Sequence, residues 1–190
     1  MDTYSDYKTL AANETLNKDY RIRVQDLGSK ITIAALHGGL IEPGTSLIAG
    51  LIADKTCNCY CFEGLKKKNN HRLHITSHRF DEPQAIKLAS SSDIVISVHA
   101  CTDTKPIVYI GGLFEDLASR IQYAIESLNI ETARKKRFSG THPDNICNQG
   151  KRKKGVQLEF SRGLRDDTES LFLVSGAIRE AISLLSILLK

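Results

Sequence analysis

Short apolar runs and helix-spaced apolar stripes take turns along this chain. Arg21-Ile-Arg-Val-Gln25 alternates as a half-exposed strand does, whereas Ile31-Thr-Ile-Ala-Ala-Leu36 is continuous enough to be buried. Leu47-Ile48 and Leu51-Ile52 share one side of a short helix, with Thr45 or Ser46 available as its cap. Further strands are expected at Cys57–Phe62, Leu73–Ser77, Asp93–His99 and, shorter, Lys105–Ile110. A helix opens at Glu82, with Asp81 as cap and Pro83 in its first turn. Leu117, Ile121, Ala124, Ile125 and Leu128 mark one face of the next helix. Gly155–Ser161 places Val156, Leu158 and Phe160 on one face and Gln157, Glu159 and Ser161 on the other. An amphipathic helix over Asp167–Leu189 closes the chain, carrying Leu171, Val174, Ile178, Ile182 and Leu185 at helical spacing. Residues 1–20, polar with scattered tyrosines, are expected to cover a sheet edge.

Strands that alternate with helices imply an α/β fold: an open, largely parallel sheet with helices on both faces. No repeat and no second unit interrupts the pattern, so residues 1–190 are read as one catalytic domain. Phe138–Lys154 is glycine-rich, polar and basic, and too long for a mere connector, which marks it as a functional loop.

Charge refines this picture. The 26 basic residues nearly balance 22 acidic ones, but the bases cluster at Lys66-Lys67-Lys68, Arg134–Arg137 and Lys151–Lys154. Each run alone reads as a solvated loop; three together suggest an anionic partner. No apolar segment follows Met1 and no run reaches membrane-spanning length, so neither a signal peptide nor a membrane role is expected. Five cysteines make an odd set, and Cys57-Asn-Cys59-Tyr-Cys61 lacks the spacing of a zinc ribbon. Free thiols on one strand face, and synthesis in the cytoplasm, are the simpler reading.

The candidate chemistry sits at strand ends, where open α/β sheets gather their ligands. His37-Gly-Gly-Leu-Ile-Glu42 puts an imidazole and a carboxylate in one loop, ahead of the Pro43-Gly44 turn. Taken alone, that stretch could be a tight turn with a locally bonded histidine. His99 ends another buried strand; if the two strands are neighbours, His37, Glu42 and His99 converge as a two-histidine, one-carboxylate set suited to catalytic zinc. Glu159 is the candidate proton carrier, although it could instead pair with Arg162 or Arg165 just beyond it. Those two guanidinium groups are the candidates for holding carboxylates or a developing oxyanion. His71, His74 and His78 form a weaker cluster, read as polar surface or supporting groups, and Cys101 lies two residues past His99.

Several motifs, in order, give the chain a family likeness. His37-Gly-Gly-Leu-Ile-Glu-Pro-Gly-Thr45, Leu73-His-Ile-Thr-Ser77, Phe80-Asp-Glu-Pro83, Ser97-Val-His-Ala-Cys101, His142-Pro-Asp-Asn-Ile-Cys-Asn148 and Gly155–Arg165 resemble the phage-type poly-γ-glutamate hydrolases. The resemblance implies a mixed sheet of zinc carboxypeptidase-like fold, zinc held by His37, Glu42 and His99, and Glu159 as general base. It also implies cleavage of γ-glutamyl amide bonds in a bacterial capsule polymer, by a protein released from the host on phage-mediated lysis. Arg79 and Asn148 join Arg162 and Arg165 as expected substrate contacts, and a monomer is expected. Two departures stand out: Asn148-Gln149 where the family often carries Asn-Arg, and Ala100 where it tends to have Gly.

Two other readings stay in play. One keeps zinc hydrolysis but trims the terminal residue of a peptide or cell-wall stem. The other is nucleic-acid binding through the basic runs, which lack the interleaved aromatic residues and recognition helix such binding uses.

Overall fold

The computed structural model describes residues 2–188, with side chains through residue 183. In chain order the regular elements are α1 (Tyr7–Asn13), β1 (Tyr20–Gln25), β2 (Ile31–Gly39), α2 (Thr45–Ala53), β3 (Asn58–Gly64), α3 (Pro83–Ser91), β4 (Ile94–Ala100), β5 (Ile107–Gly112), α4 (Glu115–Glu126), β6 (Glu131–Ala133), β7 (Val156–Phe160), α5 (Arg162–Arg165) and α6 (Thr168–Leu188). Single 3-10 turns lie at Asn70–Leu73, Lys136–Phe138 and Ile146–Asn148.

The seven strands form one mixed sheet in the order β1-β3-β2-β4-β7-β5-β6. Its central four strands, β3, β2, β4 and β7, run parallel. Antiparallel pairing enters where β1 meets β3 and where β5 meets β7. Alternate residues of the central strands feed two cores, as the period-2 geometry of a strand requires. Ile31, Ile33, Ile96, Val98, Leu158 and Phe160 face α2, α4 and α6, meeting Ile48, Ile52, Leu117, Ile121, Val174 and Ile178. Ala34, Leu36, Tyr60, Phe62 and Val95 point the other way, onto Leu10, Leu73, Ile75, Phe80 and Leu88. Each such aliphatic side chain contributes about 1.5–3 kcal/mol when fully buried. The sheet is therefore a rigid platform for whatever its strand ends carry.

Several local expectations are corrected. Leu73–Ser77 is not a strand: a 3-10 turn leads into irregular chain. Its backbone groups are taken by side chains, the Ile75 carbonyl by His37 and the Thr76 N–H by Asp2, so no ladder can form. The alternation seen there still holds, because Leu73 and Ile75 bury in the second core. β2 runs three residues past Leu36, and after a register shift Gly38 and Gly39 pair with Glu63 and Gly64. Gly39 takes φ +62°, where a Cβ would lie 2.5 Å from the Gly64 carbonyl oxygen, so glycine is required. Gly44 caps α2, leaving Thr45 inside it. Glu82 caps α3 through the Ala85 N–H, while Asp81 accepts from the Tyr7 N–H. Of the segment expected at an edge, residues 2–20 pack largely on the second face through Tyr4, Tyr7 and Leu10, rather than only along an edge. The three-residue β6 had no apolar run to announce it. Leu185 lies outside the described side chains.

Candidate functional site

His37, Glu42, His99 and Glu159 are brought to one place by three adjacent strands. β2 and β4 are parallel neighbours, so the residues at their carboxyl ends meet, and β7 pairs His99 directly with Glu159. Glu42 is folded back onto the strand end by its own loop. Its N–H donates to the His37 carbonyl at 2.8 Å, and the Thr45 hydroxyl donates to the Glu42 carbonyl at 2.9 Å.

The donor geometry fits a cation. The Ile75 carbonyl, 2.9 Å from His37 Nε2, can only accept, so the proton sits on Nε2 and the Nδ1 lone pair is free. That Nδ1 lies 3.1 Å from His99 Nδ1 and 3.2 Å from Glu42 Oε1, and His99 Nδ1 is 3.8 Å from Glu42 Oε2. Ligand atoms about 2.0–2.2 Å from a tetrahedral zinc stand roughly 3.3 Å apart, close to these separations. Ser77 Oγ, 3.4 Å from His99 Nε2, helps to orient the second ring. Among the described residues this trio is the group whose ligand atoms could close on one ion, and Cys101 is not part of it.

Burial makes the grouping electrostatically tense. Burial would raise the Glu42 carboxyl, but in the metal-free site a second proton on His37, favoured by Glu42 itself, with His99 and the Ala100 N–H, pulls it down to about 2. His99 is pushed down to about 3 by burial and by the neighbouring His37. Glu159 moves the opposite way, to about 8, chiefly because it is buried and secondly because it faces Glu42. A carboxyl with raised proton affinity beside a cation-ready trio is able to hold and release a proton.

All four residues line a cleft of about 580 Å³. Its far wall comes from the loop predicted to be functional, through Phe138, Thr141, His142 and Asn145, and from Arg137 just before it. Gln157 fixes that wall by accepting from Asn145 Nδ2 and donating to the Phe138 carbonyl. His74, read as a supporting group, stacks on His37 with ring centroids 3.9 Å apart and hydrogen-bonds to Asp2 at 2.8 Å. His78 stacks on His142 at the cleft mouth, and His71 is exposed on the 3-10 turn.

The expected substrate contacts are placed elsewhere. Arg165 spends its guanidinium on the carbonyls of Pro43, Cys101 and Phe160, locking the loop that carries Glu42. Arg162 pairs with Asp166 in the exposed first turn of α5. Arg79 is held by Asp2, and Asn148 is buried, bonded to Gly140, His142 and Gly155. None of these four lines the cleft; Arg137, which does, was hidden in the sequence among other bases of one run.

The family model for poly-gamma-glutamate hydrolase matches residues 4–180. The chain belongs to the poly-gamma-glutamate hydrolase family. It is 35% identical over 187 residues to UPF0714 protein YndL of Bacillus subtilis (strain 168), covering 94% of this chain and 72% of that protein. A solved bacteriophage poly-gamma-glutamate hydrolase superposes with TM-score 0.95 at 31% identity, covering 99% of this chain and 100% of the other. A zinc-free apo structure of YndL superposes with TM-score 0.91 at 28% identity, over 96% and 98% of the two chains. The phage-type likeness read from the motifs, and the mixed sheet flanked by helices, are thus borne out. All five cysteines of this family member are free thiols, and no helix among its described residues is long and apolar enough to cross a membrane.

Proposed function

We propose that this chain is a zinc-dependent hydrolase that cuts γ-glutamyl amide bonds of poly-γ-glutamate. The observation that carries the reading is the trio of two buried histidines, His37 and His99, with the partly buried Glu42, in one cleft with Glu159 in a chain from this family. Its relatives support the choice of metal and polymer, since one is a bacteriophage poly-gamma-glutamate hydrolase and another has a form described as zinc-free. When bound, zinc would polarise the scissile carbonyl and make water acidic enough to ionise near neutral pH.

The chain's own residues do the rest. His37 and His99 would hold the ion through Nδ1, and Glu42 through its carboxylate. Glu159 takes a proton from the attacking water and returns it to the departing amine. Burial raises the proton affinity of Glu159 in the metal-free site, and the charge of a bound ion would offset part of that, leaving a carboxylate able to accept a proton and return it. Gln157 and Asn145 brace the wall opposite, so the amide is oriented by rigid groups.

Purified protein should contain about one zinc per chain and shorten poly-γ-glutamate, with chelation abolishing both. Early collapse of polymer length indicates internal cutting. Slow loss of single residues with length preserved would favour the terminal-trimming reading, and no cutting at full zinc occupancy would reject both.

A further inference from the structure

The cleft presents two carboxylates, Glu42 and Glu159, to a polymer that bears a carboxylate on every residue. A bound zinc would offset that charge, but it does not orient the carboxylates along the polymer, which calls for a cationic side chain on the cleft wall. Among the described residues lining the cleft, the one lysine or arginine is Arg137. The other arginines expected at the site do not line it: Arg165 bonds to backbone carbonyls, Arg79 is held by Asp2 and Arg162 stands exposed on α5.

Arg137 is built to be available and oriented. Its guanidinium rests on the Phe138 ring, 4.3 Å from the centroid, which fixes its plane. Its acidic partner Asp103 stands 3.5 Å away in a half-exposed ion pair that a substrate carboxylate can displace. Asp103 spends its other oxygen on Tyr109 at 2.6 Å and Lys135 at 2.9 Å. The planar fork of Arg137 is left to face the cleft whose lining also includes Glu159.

We infer that Arg137 binds the carboxylate on the carbon attached to the scissile nitrogen, and so selects γ-linked glutamate over α-linked or amidated chains. This rests on the proposed function, and the chemistry of the linkage supplies the logic. In a γ-linked chain the carbon bonded to the departing nitrogen carries a free carboxylate, next to the bond that breaks. In an α-linked chain the same carbon carries a neutral amide, which cannot accept a charged bidentate pair. One guanidinium in the cleft that holds Glu159 therefore distinguishes the two linkages.

The test measures binding and cutting separately. In a zinc-loaded Glu159→Gln background, calorimetry compares a γ-glutamyl oligomer with its α-amidated counterpart, with Arg137 intact, Arg137→Lys or Arg137→Gln. With Arg137 intact, the charged oligomer should bind about ten- to a hundred-fold more tightly, the range of a charge-assisted hydrogen-bonded pair. Arg137→Gln should erase that preference and Arg137→Lys restore part of it, with melting point and zinc content unchanged, since the side chain is exposed. A preference that survives in Arg137→Gln overturns the inference while leaving the function intact. Arg137-dependent binding of the charged oligomer, in a protein whose wild type does not cut the polymer, rejects the function alone. Absence of any binding to the parent rejects both.

Discussion

Glu159→Gln should slow polymer cutting and, in the metal-free protein, increase stability at alkaline pH. The carboxyl is buried, pairs with His99 across the ladder and faces Glu42. These surroundings lift it from 4.5 to about 8. The folded state thus holds a proton that the unfolded chain has already lost, and stability falls as pH rises between those two values. Integrated from below pH 4 to pH 8, the shift amounts to about 4 kcal/mol of lost stability. Glutamine is neutral at every pH and avoids that loss. Denaturant unfolding with chelator at pH 4, 6 and 8 should show the wild type weakening against Glu159→Gln by an amount approaching that figure. Zinc-loaded Glu159→Gln should keep its metal and bind polymer, yet cut at least about a hundred-fold more slowly, the usual contribution of a positioned base. Equal pH slopes in the two proteins would show that burial does not hold the proton on Glu159. Normal turnover would move the search for the base to another carboxylate.

The remaining expectations concern the metal, the polymer and the N-terminal segment. His99→Ala should lose most of its zinc, read by metal analysis, while circular dichroism stays unchanged; full occupancy would remove His99 from the ligand set. Apparent affinity for poly-γ-glutamate should fall as salt rises through screening, and an amidated polymer should be cut poorly; equal rates on both polymers at all salt levels would exclude charge recognition. Asp2 accepts from His74, the Thr76 N–H and hydroxyl, and Arg79, so Asp2→Ala should cost about 1–3 kcal/mol in chemical denaturation. Although burial opposes it, these bonds hold the Asp2 carboxyl down to about 2. Its contribution is therefore present above the unfolded value of 3.8 and lost as pH falls toward 2. A variant as stable as wild type at pH 7 would mean that the segment is not anchored there.

The strand and helix pattern was legible because it is local: side chains alternate every two residues in a strand and recur every three or four in a helix. The runs at Ile31, Asp93 and Gly155, and the stripe along α4, followed from that alone. So did the placement of His37, Glu42, His99 and Glu159 at or near strand ends, because their positions depend on where each run stops. Pairing of β2 with β4 and of β4 with β7 is non-local, and only the folded sheet decides it. That pairing turns four separated residues into one cleft. The arginines show the opposite limit. Arg162 and Arg165 were close to Glu159 in sequence, yet α5 turns them away, to Asp166 and to three carbonyls. Arg137 was one base within a run of four, and only the packing of Phe138 and Gln157 brings it to the cleft wall. Leu73–Ser77 failed as a strand for the same reason. Its alternation was satisfied by burial, but its hydrogen bonds went to Asp2 and His37, partners more than thirty residues away that no local pattern can announce.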